Sequence, residues 1–279
     1  MHESHVVTLQ GQRLHYLAWN GAAPTDAGLP PLVFLHGVTG HARTWDDEAQ
    51  ALRTHYRVFA LDQRGHGDSD PAPDGDYTTI TLADDLEAFV DALGLGRVTL
   101  VGLSMGGRVA LAYAGRHPDR AERLVVVDIG PEIAAAGRAR VGTMMAAAPE
   151  RFASLDEAVA FMRHANPRYT ESLLRRRAEH ALRATGDGLT WKYDRELRDA
   201  VRQGRWRDTT DLWPLWAAIA CPTLVVRGAE SDILSKEIAE KMLAAQPRAR
   251  LVEIADASHT VPGDQPGAFL EALRAFLAR

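Results

Sequence analysis

The stretch that decides the fold reads Val98-Thr99-Leu100-Val101-Gly102-Leu103-Ser104-Met105-Gly106-Gly107. Its first four residues are apolar or β-branched and predict a buried strand, and residues 108–116 predict a helix. Between them lies the pattern G-x-S-x-G, centred on Ser104. A serine at so tight a strand-to-helix turn takes a strained backbone conformation that exposes its hydroxyl. Gly102 and Gly106 keep the space around this turn clear. The sequence therefore predicts a nucleophilic serine at residue 104.

Short apolar runs repeat on both sides of this turn. They lie at residues 32–35, 57–61, 98–101, 124–127, 223–226 and 250–254. Stretches with helical spacing separate them, such as residues 81–93 before Gly94, and an antiparallel hairpin is predicted around Gly11. Strands that alternate with helices predict an α/β protein, with a mostly parallel sheet and helices on both faces.

The short apolar runs that predict strands are absent between Pro131 and Trp213. A capping box at residues 154–157 and the apolar spacing of residues 170–183 predict helices here. We interpret residues 131–213 as an all-helical cap inserted into a core formed by residues 1–130 and 214–279. Aromatic residues in and beside this segment are interpreted mainly as the core of the cap, with some free to line a pocket: Phe152, Phe161, Tyr169, Trp191, Tyr193, Trp206, Trp213 and Trp216.

The composition excludes several classes of protein. The 279-residue chain has a net charge of −5, which gives no basic footprint for nucleic acid or an anionic membrane. Its single cysteine, Cys221, excludes an internal disulfide and fits a reducing compartment. The sequence has no apolar run of about 18 residues, and its first residues do not resemble a secretory signal. We therefore expect a cytoplasmic protein with a small-molecule partner, and homo-oligomer formation is left open.

Four motifs together resemble those of the α/β-hydrolase fold family. They are His36–Gly40, Asp62–Ser69, Gly102–Gly106 and Ala257–His259. The resemblance covers nearly the whole chain except the cap, and within the family the chain is similar to small bacterial cap-bearing esterases, lactonases and carbon–carbon bond hydrolases. It implies a mostly parallel eight-stranded sheet with an inserted helical cap. Ser258 departs from the glycine that usually precedes the family's histidine.

The resemblance also implies a serine, an acid and a histidine in that chain order. His259 follows the last predicted strand, which places it at the carboxyl edge of the sheet, where it would take the proton of Ser104. Asp232, after the seventh strand, occupies the family's commonest position for the acid and is the first candidate. Asp128, one strand after the nucleophile, is the alternative, since a minority of the family use that position. Glu230 is a third and weaker candidate.

The family pattern further assigns an oxyanion hole to two backbone amides. These are the amides of Val38 and Met105, the second of which lies at the N-terminus of the helix after Ser104. His36, Arg64 and Asp68 are interpreted as structural residues of their loops.

These residues predict a serine hydrolase that cleaves a carboxylic ester or a related small acyl compound through an acyl-Ser104 intermediate. A lactonase, a carbon–carbon bond hydrolase and an amidase are alternatives on the same residues, and a non-catalytic small-molecule receptor is an alternative of another class. The patterns H-x-E, C-x-x-C and G-x-G-x-x-G are absent, so we expect neither a metal nor a cofactor. The pocket is expected to be mostly apolar, whereas an inward-facing cap arginine would select a carboxylate.

Overall fold

The computed structural model describes residues 2–19, 28–205 and 208–278. The strands of this part of the chain are β1 (Glu3–Leu9), β2 (Gln12–Trp19), β3 (Pro31–Leu35), β4 (Arg57–Leu61), β5 (Val98–Leu103), β6 (Ala121–Val127), β7 (Arg151–Phe152), β8 (Leu182–Thr185), β9 (Gly188–Trp191), β10 (Thr223–Gly228) and β11 (Ala249–Ile254). The helices are α1 (Asp46–Leu52), α2 (Thr79–Ala92), α3 (Met105–Arg116), α4 (Ala135–Ala147), α5 (Leu155–Ala165), α6 (Glu171–Ala181), α7 (Arg195–Arg202), α8 (Trp213–Ala218), α9 (Lys236–Ala245), α10 (Val261–Asp264) and α11 (Pro266–Leu277). A 3-10 turn, Ala42–Trp45, precedes α1.

The main sheet has eight strands in the order β1-β2-β4-β3-β5-β6-β10-β11. β1 pairs with β2, and β2 with β4, in antiparallel fashion, and the other neighbours are parallel. The predicted fold class, a mostly parallel sheet of eight strands, is confirmed.

The central strands are apolar throughout because both of their faces are covered. Val33 and Leu35 of β3 join one buried cluster with residues of α2, α3, α8 and α9. Leu32 and Phe34 point the other way and join a second cluster with α1 and α11. This alternation is the period of two that a strand imposes on its side chains. The carboxyl ends of the strands are thereby fixed along one edge of the sheet.

The segment interpreted from the sequence as a cap, residues 131–213 (hereafter the cap), is not all-helical as predicted. It contains α4 to α7, but β7, β9 and β8 also form a small antiparallel sheet. The predicted helix over residues 170–183 ends at Ala181, because the chain turns there into a hairpin around Gly186-Asp187-Gly188. Gly188 has a φ of +135°, and a Cβ on it would lie 2.4 Å from the carbonyl oxygen of Phe152. Glycine alone fits this hairpin comfortably.

The aromatic residues of this region divide between two cores. Phe152, Trp191 and Tyr193 are buried in the cap cluster, as interpreted from the sequence. Trp216 instead belongs to a cluster of the main sheet. Trp206 lies outside the described residues. Among the described helices, none combines the length and the apolar character that a membrane span requires.

Candidate active site

Ser104 occupies the turn between β5 and α3 with φ 54° and ψ −120°. A positive φ at a residue other than glycine is strained by about 1–3 kcal/mol, so the surrounding structure must hold it in place. Backbone contact supplies this support: a Cβ on Gly102 would lie 2.2 Å from the carbonyl oxygen of Gly106, and one on Gly106 would lie 2.4 Å from that of Leu35. The two glycines therefore allow the close backbone approach that defines the turn.

His259 lies in the loop between β11 and α10 and contacts two other side chains. Its Nε2 is 2.9 Å from Ser104 Oγ, and its Nδ1 is 2.9 Å from Asp128 Oδ2. Because a carboxylate only accepts, the proton of a neutral imidazole belongs on Nδ1, and Nε2 accepts from the serine hydroxyl. The structure thus brings together the predicted serine and histidine in the arrangement needed for proton transfer.

The partner of His259 is Asp128, which follows β6 and is fully buried. Its Oδ1 accepts from the Gly228 amide at 2.9 Å, and its Oδ2 also accepts from the Ser231 hydroxyl. A buried carboxylate is costly unless such donors surround it. These donors hold Asp128 in one orientation toward the histidine.

The first candidate for the acid, Asp232, does not contact His259, and the expectation is corrected to the alternative, Asp128. The Asp232 carboxylate accepts two hydrogen bonds from Arg140 of the cap, at 2.6 and 2.8 Å. These bonds lower its pKa. Ser231 explains the placement, because its hydroxyl accepts from the amides of Ile233 and Leu234 and so turns the chain away from the site. The third candidate, Glu230, pairs with Arg168.

The two amides assigned to the oxyanion hole lie on segments that meet at Ser104. Met105 is the first residue of α3, and the chain at Gly37, just before Val38, is so close that a Cβ there would lie 3.2 Å from Ser104 Cβ. Within the described residues, neither the Val38 nor the Met105 amide donates a hydrogen bond. Both amides are therefore unengaged within this part of the chain.

His36 fixes the loop that carries Val38. Its Nδ1 donates to the Gly37 carbonyl at 2.8 Å, and its Nε2 accepts from the Gln63 amide at 3.1 Å. The ring is fully buried, and burial lowers its pKa. A neutral ring satisfied on both nitrogens is structural, in agreement with the interpretation from sequence.

The loop that begins at Asp62 is also held by structural contacts. Burial raises the pKa of Asp62, but hydrogen bonds from His15 and from the amides of Asp68 and Ala42 outweigh it and hold the pKa at about 2. Arg64 forms a bidentate pair with Asp85, and the carboxylate of Asp68 accepts from Lys192 of the cap. Arg64 and Asp68 thus tie neighbouring segments together.

His15, Asp62 and Asp68 are also the group whose ligand atoms lie close enough to hold a metal ion in the part of the chain that the structure describes. His15 Nδ1 already bonds Asp62 at 2.7 Å, and Lys192 lies 2.8 Å from Asp68. An ion would have to displace these contacts and approach a lysine ammonium, so the donor set does not suit a cation.

A strained serine, a histidine and a buried aspartate at the carboxyl edge of a parallel sheet are the arrangement of the alpha/beta hydrolase fold, and the model of that family matches residues 30–266. The chain belongs to the α/β-hydrolase fold family and is a hydrolase, as the resemblance implied. Its curated relatives include the mouse sn-1-specific diacylglycerol lipase ABHD11, 31% identical over 91% of this chain and 82% of that protein. Another is the esterase Rv0045c of Mycobacterium tuberculosis, 30% identical over 98% and 89%.

Among solved structures, the chain is similar to E-2-(acetamidomethylene)succinate hydrolase, with a TM-score of 0.90 and 25% identity over 100% of both chains. This agreement covers the cap as well as the core. The relatives therefore share the fold and a hydrolytic activity, while their named substrates differ.

Proposed function

We propose that the protein is a serine hydrolase that cleaves a carboxylic ester or a related small acyl compound through an acyl-Ser104 intermediate. The observation that carries the proposal is the continuous hydrogen-bond chain Ser104–His259–Asp128, with 2.9 Å at each step. Ser104 Oγ attacks the acyl carbonyl as its proton passes to His259 Nε2. Asp128 stabilises the imidazolium that forms and keeps the ring in the productive tautomer.

The negative charge of the tetrahedral intermediate develops on the former carbonyl oxygen. The amides of Val38 and Met105 are the donors available to it, and the N-terminus of α3 adds a favourable dipole. When the intermediate collapses, His259 returns the proton to the leaving alcohol. A water molecule then loses a proton to His259, attacks the acyl group, and releases the acid and Ser104. The residues needed for both half-reactions are thus present in one site.

The relatives support hydrolysis but differ in the bond that they cleave. Those named esterase and lipase favour an ester, and the hydrolase of E-2-(acetamidomethylene)succinate favours an acylated nitrogen. The same three residues also suit the hydrolysis of a lactone or of a carbon–carbon bond. The complete set of Ser104, His259 and Asp128 argues against a non-catalytic receptor.

A labelling experiment tests this proposal. A fluorophosphonate should add one phosphonyl group to the wild-type protein and to Ser172→Ala, which changes an exposed serine of the cap, but not to Ser104→Ala. Turnover of p-nitrophenyl butyrate should fall by about 10⁴ to 10⁶ in Ser104→Ala, because the covalent route is lost. Activity of Ser104→Ala within tenfold of wild type would overturn the proposal, as would a wild-type protein that is neither labelled nor active.

A further inference from the structure

Arg177 is a cap arginine whose charge the cap leaves unmatched. It follows two other arginines in α6, of which Arg175 pairs with Asp156 and Arg176 with Asp47. Arg177, in contrast, forms no hydrogen bond and no ion pair with the described residues, although its Nε is buried. A buried guanidinium nitrogen without an acceptor is costly to the folded protein. A hydrogen-bond acceptor would stabilise this nitrogen, and the described part of the chain does not provide one.

The helix directs Arg177 toward the core of the protein. The buried residues of α6 are Leu174, Ala178 and Ala181, and Arg177 lies on this face because it follows Leu174 by three residues. The same helix contacts the 3-10 turn at residues 42–45, which follows the loop that carries Val38. Val38 itself packs against the cap cluster to which Leu174 belongs. Arg177 therefore faces the interface where the cap covers the active-site loops.

Two groups near Arg177 show that its charge acts on both sides of that interface. Arg177 acts to lower the pKa of His41, next to the Val38 loop, after the larger effect of burial. It also opposes the effect of burial on the pKa of Tyr169. The Tyr169 ring lies against Gly263, in the segment that follows His259. Arg177, which is partly buried, therefore acts on the segment that follows Val38 and on the segment that follows His259.

The buried carboxyl group of Glu48 does not neutralise Arg177. Burial raises the pKa of Glu48 to about 7, against which Arg177 and a backbone hydrogen bond act only in part. Near neutral pH this side chain therefore carries only part of a negative charge. No acidic atom lies within 4.0 Å of the Arg177 guanidinium in the described chain. A second buried nitrogen, His41 Nδ1, also has no partner at this interface.

Five other arginines of the cap do not offer the same feature. Arg163, Arg168, Arg175 and Arg176 pair with acids, and Arg183 is exposed. We propose that Arg177 binds a carboxylate group of the substrate, so that the enzyme acts on acyl compounds carrying a free acid. This inference rests on the proposed function, since it names the substrate class of the same site. A guanidinium fork matches a carboxylate with two parallel hydrogen bonds, and an enclosed site strengthens that pairing.

A matched pair of substrates tests the inference. The mono-p-nitrophenyl ester of adipic acid carries a terminal carboxylate, and its methyl ester is the neutral equivalent. We expect the wild-type enzyme to favour the acid ester by more than tenfold in kcat/KM, after subtraction of uncatalysed hydrolysis. Arg177→Met should reduce that preference at least tenfold, about 1.4 kcal/mol of transition-state binding. Arg177→Lys should retain part of it, because the charge stays but the fork is lost.

Arg175→Met is the control, since it removes a neighbouring arginine whose partner lies on the surface, and its preference should equal that of wild type. Thermal unfolding establishes whether Arg177→Met folds. If Arg177→Met does not fold, the substrate preference of Arg177→Lys tests the inference instead. A wild-type preference for the neutral ester, or equal loss of both activities in the Arg177 variants, would overturn the inference while leaving the serine mechanism intact. Failure of the serine mechanism is distinguished by Ser104→Ala, which would then keep activity on both esters.

Discussion

Replacing Asp128 with asparagine removes the charge beside His259 without changing the size of the side chain. We expect kcat for p-nitrophenyl butyrate to fall about 10⁴-fold, which corresponds to four factors of ten, or about 5.4 kcal/mol. Asp232→Asn changes a partly exposed residue that pairs with Arg140 on the cap. For that variant we expect a change of less than about tenfold, since it touches no reacting group.

The size of the Asp128 effect follows from the donors that surround the carboxylate. Oδ1 accepts from the Gly228 amide at 2.9 Å, and a backbone amide cannot reverse its role. An asparagine must therefore keep its oxygen on Gly228 and present its NH₂ group to Ser231 and His259. The Ser231 hydroxyl already accepts from two amides and has no lone pair left for the NH₂ group, and His259 accepts on Nδ1 only if its proton moves to Nε2. In that tautomer Nε2 cannot take the proton of Ser104.

Steady-state kinetics of the two asparagine variants, measured beside wild type at one pH, provide the assay. Thermal unfolding should show that both variants fold. If Asp232→Asn lost as much activity as Asp128→Asn, or if Asp128→Asn stayed within tenfold of wild type, the assignment of the acid would be refuted.

Two further predictions concern stability. Gly106→Ala should lower the free energy of unfolding by more than about 2 kcal/mol in urea titrations, because its Cβ would lie 2.4 Å from the Leu35 carbonyl oxygen. Gly142→Ala in α4, where a Cβ meets nothing within 4 Å, should be neutral or stabilising, and equal losses in the two variants would contradict the argument. Burial raises the pKa of Glu48 from 4.5 to about 7, so the unfolded chain loses this proton first and stability falls as the pH rises through that window. Glu48→Gln should reduce the stability difference between pH 5 and pH 8 by roughly 3 kcal/mol, and an unchanged difference would count against a raised pKa.

The core of the fold was predictable because its signals are local. A strand buried on both faces must be apolar at every position. A run such as Leu32–Leu35 therefore predicts a buried strand from its own sequence, without information about the strands beside it. The turn at Ser104 is equally local, since Gly102 and Gly106 are required by backbone contacts within a few residues of the serine and with β3. Such features depend on short segments whose geometry admits few alternatives.

The small sheet in the cap was missed although its hairpin has a sequence signal. Thr185-Gly186-Asp187-Gly188-Leu189-Thr190-Trp191 combines a glycine-rich turn with alternating residues that favour a strand. The preceding apolar spacing continued to residue 183, and the helical pattern outweighed the turn. Tertiary contacts decide that a hairpin forms here instead of a longer helix. Trp191 packs against Phe152, and β7, which precedes α5 and α6 in the chain, pairs with β9 to complete the sheet. The sequence likewise does not distinguish Arg177 from Arg175 and Arg176, because only the structure shows which of the three arginines has a partner.

The acid could not be decided from chain order, because both candidates satisfy the order serine, acid, histidine. β6 and β10 are adjacent and parallel, with Val127 opposite Val226, so the residues that follow the two strands lie side by side. A carboxylate that follows either strand is therefore close enough in the fold to be a candidate partner of His259. The Ser231 hydroxyl decides between them, since it donates to Asp128 while it accepts from the amides that shape its own turn. The same turn that supports the buried carboxylate of Asp128 directs Asp232 toward Arg140 of the cap. The different roles of the two aspartates therefore depend on contacts between the two loops, which the sequence does not show.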